Sequence, residues 1–150
     1  MREDLVQPGL LYAGAENGMY VSFNGGQQWQ SLQLNLPIVP ITDLRVHGND
    51  LVVATQGRAF WILDDISPLR EVNKTIADTV LHLYKPSLVQ KLAAGSGDWG
   101  AKQGKNPPSG ALIYFYVKEE PNSSETPVSL TILDDKGDVV RNYSTEPDPQ

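Results

Sequence analysis

Asp64 and Asp65 stand side by side after the apolar run Phe60-Trp61-Ile62-Leu63. Glycoside hydrolysis needs two carboxylates, held about 5–9.5 Å apart across one bond. Consecutive strand residues point to opposite sides, so this pair is not expected to face one substrate. His47 and His82 are far apart and have no HExxH-type partner. Both read as half-buried strand histidines. The chain has no cysteine, which excludes disulfide scaffolds, thiolate metal sites and cysteine nucleophiles. It has no GxSxG elbow, phosphate loop or metal-ligand cluster, and no cofactor is expected. What remains is recognition chemistry. Arg58 could meet a carboxylate bidentately, and it sits in a polar turn with Gln56; Glu16 and Asn17 occupy a similar turn upstream.

The elements that position these residues emerge when the chain is slid along itself. Residues 11–24 align without a gap on residues 52–65, placing Leu11 on Val52, Ala13 on Ala54, Tyr20 on Trp61 and Asn24 on Asp65. Each copy has a short apolar strand, a polar turn containing Gly and an aromatic-rich strand. The offset of 41 is the ~40–45-residue period of four-stranded propeller blades. The expected strands are 10–14, 18–23 and 29–33 in the first unit, then 41–46, 51–55 and 59–63 in the second, with a fourth at 79–84. Turns rich in Asn and Gly separate them, as tight hairpins require. Thirteen Gly and eleven Pro among 150 residues suit many short strands and argue against long helices.

A net charge of −6 with scattered basic residues argues against nucleic acid, which needs clustered Lys and Arg. No apolar run is long enough to span a bilayer as a helix, and the N-terminus lacks a signal-peptide core.

Ser22-Phe23-Asn24-Gly25-Gly26-Gln27-Gln28-Trp29 fits S-x-D-x-G-x-x-W with Asn in the Asp position. This resembles the Asp-box of BNR-repeat propellers such as sialidases and sortilin-like proteins. The short polar side chain can hold its own turn, Gly26 can take a left-handed conformation, and Trp29 can cover the hairpin. The copy at 63–70 keeps only Asp65 and is a degenerate box. Together with Pro8–Gly14, Leu34–Pro37 and Ala59–Asp65, the match resembles the last blades of bacterial BNR-repeat or sortilin-like glycosyl hydrolases, over about residues 5–145. The resemblance implies that Ser22, Asn24, Gly26 and Trp29 are structural, on the rim turn between third and fourth strands. It places Glu16, Asn17, Gln56 and Arg58 on the opposite, ligand-binding face, toward a carbohydrate or a protein.

Residues 93–110 read as a Gly/Pro-rich linker. Beyond it, 111–118, 127–133 and 139–143 read as strands, the last two joined by the turn Asp134–Asp138. The hairpin Leu130–Arg141 resembles the opening of an immunoglobulin-like module of flagellar-hook-capping type, which would need about seven strands. The fold expected is therefore all-β: one to two propeller blades over residues 1–92, then an incomplete Ig-like β-sandwich segment over 111–150. The rest of the propeller is expected from upstream sequence, in a secreted or cell-envelope parent. The function expected is a non-catalytic scaffold or binding module; the alternative is part of a glycoside hydrolase with its catalytic residues upstream.

Overall fold

The computed structural model describes residues 1–89, 110–120 and 127–146. The linker expected at 93–110 lies outside the described residues except for Gly110. The architecture is all-β, in small antiparallel sheets with two five-residue helices. Strands β1 (Arg2–Glu3), β2 (Leu11–Ala15), β3 (Gly18–Ser22) and β4 (Gln30–Ser31) form a first sheet in the order β1-β2-β3-β4. Strands β5 (Ile41–His47), β6 (Asp50–Thr55) and β7 (Phe60–Leu63) form a second sheet in chain order. Helices α1 (Ser67–Glu71) and α2 (Lys74–Asp78) follow. Strand β8 (Leu81–Leu83) pairs with β9 (Phe115–Val117), and β10 (Ser129–Leu133) with β11 (Val139–Ser144).

Alternation builds each sheet. In the first, Tyr12 lies opposite Val21 and Gly14 opposite Met19, so Leu10, Tyr12, Gly14, Met19 and Val21 share one face, here called the front. Leu11, Ala13, Tyr20 and Ser22 share the back. In the second sheet Leu51 lies opposite Leu63 and Val53 opposite Trp61, while Val52 and Ala54 lie opposite Ile62 and Phe60. The core joins Leu10, Tyr12, Met19 and Val21 to Leu44, Val46, Leu51 and Val53, with Trp61 and Leu63 packed against it. The first sheet's front therefore seats on the Leu51/Val53 face of the second. Gly14 permits the close approach, because a Cβ there would lie 2.4 Å from Ile41 Cγ2.

Backbone direction shows how the two sheets correspond. The Leu10 carbonyl accepts from Asp4 N at 2.8 Å, so Leu10 and Tyr12 turn their peptide groups toward the first strand of their sheet. Thr55 N donates to Ala59 O at 3.1 Å, so Thr55, Val53 and Leu51 turn theirs toward the third. In an antiparallel ladder the direction of the peptide groups alternates together with the side-chain face. The counterpart of Tyr12 is thus Val52, and Leu51 and Val53 lie on the second sheet's back. The two sheets stack front to back.

This corrects the gap-free alignment. The correspondence is offset by 40 residues before the hairpin and by 41 after it. The loop Thr55–Ala59 holds the extra residue. Under it the fronts pair Tyr12 with Val52, Gly14 with Ala54, Met19 with Phe60 and Val21 with Ile62; the backs pair Leu11 with Leu51, Ala13 with Val53 and Tyr20 with Trp61.

Other departures are local. Strand β4 covers only Gln30–Ser31, and β1 was not anticipated. The second sheet has three strands: the segment expected as its fourth, at 79–84, instead bonds through Leu81–Leu83 to Phe115–Val117. Pro68 sits in the first turn of α1, where its missing N–H costs no helical bond. Asn73 caps α2 by accepting from Ile76 N at 3.0 Å.

Candidate functional site

The turn Ser22–Trp29 is a hydrogen-bonded knot between β3 and β4 of the first sheet. Ser22 is fully buried. Its Oγ accepts from Gly26 N at 2.9 Å and donates to Asn24 Oδ1 at 3.0 Å. Asn24 Oδ1 also accepts from Gln28 N at 2.8 Å, the role an Asp would fill at this position. Gly25 N donates to Gly9 O at 2.9 Å, tying the turn to the segment before β2. Gly26 has φ +88°, and a Cβ on it would meet Leu11 and the Trp29 ring at 3.4–3.7 Å. Trp29 remains 38% exposed, so its cover of the hairpin is partial. Ser22 Oγ and Asn24 Oδ1 are both engaged in holding the backbone of this turn, which is a structural role, while Asn24, Gln27 and Gln28 stay exposed.

Asp65, the counterpart expected to keep the box, sits in a different turn. Its φ is +56°, and Oδ1 accepts from Ser67 N at 3.2 Å and from Ser67 Oγ at 2.5 Å. Ser87 Oγ approaches the same carboxylate at 3.3 and 3.4 Å. The chain then enters α1 rather than a returning strand. Asp65 is thereby committed to neighbouring hydroxyls while Asp64 is exposed, and nothing aims the two at one substrate.

The polar hairpin tips lie together at one end. Glu16 and Asn17 join β2 to β3, and Gln56 and Arg58 lie between β6 and β7. Gly14, next to the first tip, packs on Ile41, which pairs with Thr55 at the base of the second. All four side chains are exposed. Asn17 Oδ1 accepts from the Tyr20 hydroxyl at 3.1 Å, and the Arg58 carbonyl accepts from Trp61 Nε1 at 3.0 Å. Among the described residues the Arg58 guanidinium has no ion-pair partner, which leaves its donors available to a carboxylate. These tips sit at the opposite end of the sheets from the Ser22–Trp29 turn.

That opposite end carries the strongest electrostatic feature. Asp4, with its side chain fully buried, takes Arg70 Nε at 2.9 Å on Oδ1 and 3.1 Å on Oδ2. It also accepts from Val6 N at 2.8 Å and Gln7 N at 2.9 Å. Burial works against its ionisation, but those amides and the guanidinium outweigh it and hold the carboxyl below its ordinary range. The other Arg70 nitrogens reach Asn49 Oδ1 at 2.6 Å and Gly48 O at 2.8 Å. One arginine thus ties the N-terminal segment to the β5–β6 turn. Burial, then the Asp4 charge, push the Tyr12 phenol upward. Sequence reasoning missed this cluster because nothing in the pattern pairs positions 4 and 70.

The two histidines serve no shared site. His47 is exposed at the end of β5. His82 Nε2 lies 3.5 Å from Glu71 Oε2, longer than a good hydrogen bond, and its ring meets Tyr84 edge-on at 4.9 Å. Among the described residues no group of three or more His, Asp or Glu could hold a metal ion, and no helix is long and apolar enough to cross a membrane.

Compared with family models, curated proteins and solved structures, the chain matches none. A cleft of about 670 Å³ lies between the β8–β9 and β10–β11 pairs. Leu81, Leu83, Ile113, Phe115, Leu130 and Ile132 line it, and among the described residues no acid–base groups converge on it.

Proposed function

We propose that this chain is a non-catalytic repeat module: two consecutive blades of an Asp-box propeller, followed by an incomplete Ig-like β segment, acting as a scaffold or as a carbohydrate- or protein-binding part of a larger assembly. The observation that carries the reading is the front-to-back stacking of two sheets whose strands correspond face by face. Blades of a propeller repeat by rotation, so each must offer one kind of face and accept the other. The serine and asparagine knot at Ser22–Trp29 supports the same reading, as does its position between third and fourth strands. The apolar cleft between two strand pairs is what a β-sandwich short of strands would leave. Against catalysis by this chain's own acidic pair, Asp64 and Asp65 are split between solvent and the Ser67/Ser87 hydroxyls.

The binding end is that of Glu16, Asn17, Gln56 and Arg58. The test exposes the purified chain to neutral and uronate- or sialate-bearing oligosaccharides, measuring binding and product release in parallel. The reading expects no turnover, and any affinity for the acidic glycans to be lost in Arg58→Ala. Glycosidic cleavage that tracks this chain through purification would sink the non-catalytic reading.

A further inference from the structure

The two sheets already demonstrate one interface, and each leaves half of it unused. The second sheet's front repeats the first sheet's front: Val52, Ala54, Phe60 and Ile62 stand where Tyr12, Gly14, Met19 and Val21 stand. Met19 and Val21 are buried by the next sheet, whereas Phe60 is 76% and Ile62 57% exposed. The first sheet's back, with Leu11, Ala13 and Tyr20, repeats the back formed by Leu51, Val53 and Trp61. Charge is complementary on the first strands of the two unused faces once Asp43, beside Arg45 on the second front, is taken up by its ion pair with Arg2. Arg45 pairs with Val52 on the second front, and Glu3 pairs with Leu11 on the first back. A shallow hollow lined by Asp43, Arg45, Val52, Ala54 and Phe60 marks the vacant front.

From this we infer that the exposed front of the second sheet docks the first sheet's back on a second copy of the chain. The contact is head-to-tail and repeats the operator that stacks the two sheets within one copy. A heterologous contact of this kind closes into a ring or runs on as a filament. Rotation by one blade per sheet favours closure, and two to four copies supply the four to eight sheets that propellers use. The inference rests on the blade reading above, but the test separates the two.

The experiment is light scattering coupled to size exclusion on the full 150-residue chain at about 5 and 100 μM, with two single-face variants. Phe60→Glu spoils the front at an exposed position, and Ala13→Glu spoils the back. Glu3→Arg, at an exposed site, is the milder back variant in case Ala13→Glu misfolds by circular dichroism. The expected result is a closed species at a small multiple of 16.5 kDa, with each variant monomeric. A mixture of front-spoiled and back-spoiled chains should form only a heterodimer, through the one intact front and the one intact back. A folded wild-type monomer at 100 μM would overturn the docking while leaving the blade reading standing. An assembly lost in Phe60→Glu but intact in both back variants would mean front-to-front pairing and would also overturn it. A cross-linking or solution structure in which Met19 does not face Leu51 and Val53 would remove the blade reading itself.

Discussion

Replacing Arg70 with Met should be among the most damaging substitutions available between β1 and α1. Methionine keeps most of the aliphatic stem but removes every donor, so Asp4 loses its countercharge at 2.9 and 3.1 Å, and Asn49 and Gly48 lose theirs. The side chains are almost wholly enclosed, with 12% exposure for Arg70 and none for Asp4. Breaking a buried pair from one side costs about 3–5 kcal/mol because the stranded charge stays desolvated. Two amide donors remain on Asp4, which places the expectation near the lower bound, about 3 kcal/mol. For a chain of this size that is a fall in Tm of roughly 6–12 °C. The assay is urea and thermal unfolding followed by circular dichroism, with Asp4→Asn and the double variant completing a cycle. The double variant should be less damaged than the sum of the singles by about 1 kcal/mol or more. A loss under about 0.5 kcal/mol for Arg70→Met, the level of an ordinary surface change, would refute the clamp.

Ser22, Gly14 and Asp4 each carry a further expectation. Ser22→Ala should cost about 1–3 kcal/mol, because Gly26 N is left without its acceptor in a buried turn; Asn24→Asp should retain stability, and both are read from the same unfolding curves. Gly14→Ala should destabilise by about 1–3 kcal/mol, since the new methyl collides with Ile41, and equal stability would mean that the sheets do not meet there. The Asp4 carboxyl is held below its ordinary range, so its contribution is fully present above about pH 4 and drains away as the pH falls through the folded-state value. The wild type should thus lose stability on acidification with a steeper slope than Asp4→Asn, and parallel slopes would contradict the assignment.

Much of the sheet structure was legible because alternation and Gly/Asn turns are local signals. Residues 11–15, 18–22, 41–47, 50–55 and 60–63 carried both, and so did the hairpin around Gly137. The local hold of the Ser22–Trp29 turn was legible for the same reason, since Ser22 and Asn24 bond within a few residues of themselves and Gly26 takes a positive φ there. Strand β1 was not, because Arg2–Glu3 is polar and becomes a strand only by pairing with Leu11 and Tyr12. Helices α1 and α2, at five residues, are too short to show a 3.6-residue period. The pairing of Leu81–Leu83 with Phe115–Val117 spans the 93–110 stretch, and no local pattern chooses that partner over β7. The Asp4–Arg70 clamp is equally non-local. The gap-free offset of 41 is one residue off before the hairpin because Thr55–Ala59 is one residue longer than Ala15–Gly18, which the strand–turn–strand pattern does not show; face identity, which a one-residue slip inverts, does show it.

The longer β6–β7 connection, Thr55 to Ala59, also bears on engineering. This loop already differs in length from its counterpart at Ala15–Gly18, and Gly57 at φ +80° and Ala59 at φ +59° absorb the difference without disturbing the strand pairs below. A graft of several residues between Gly57 and Arg58 would project from an exposed tip and leave both sheet faces untouched. A reporter or an epitope spliced in there would keep the sheets intact while interrupting the Gln56–Arg58 tip proposed above to bind.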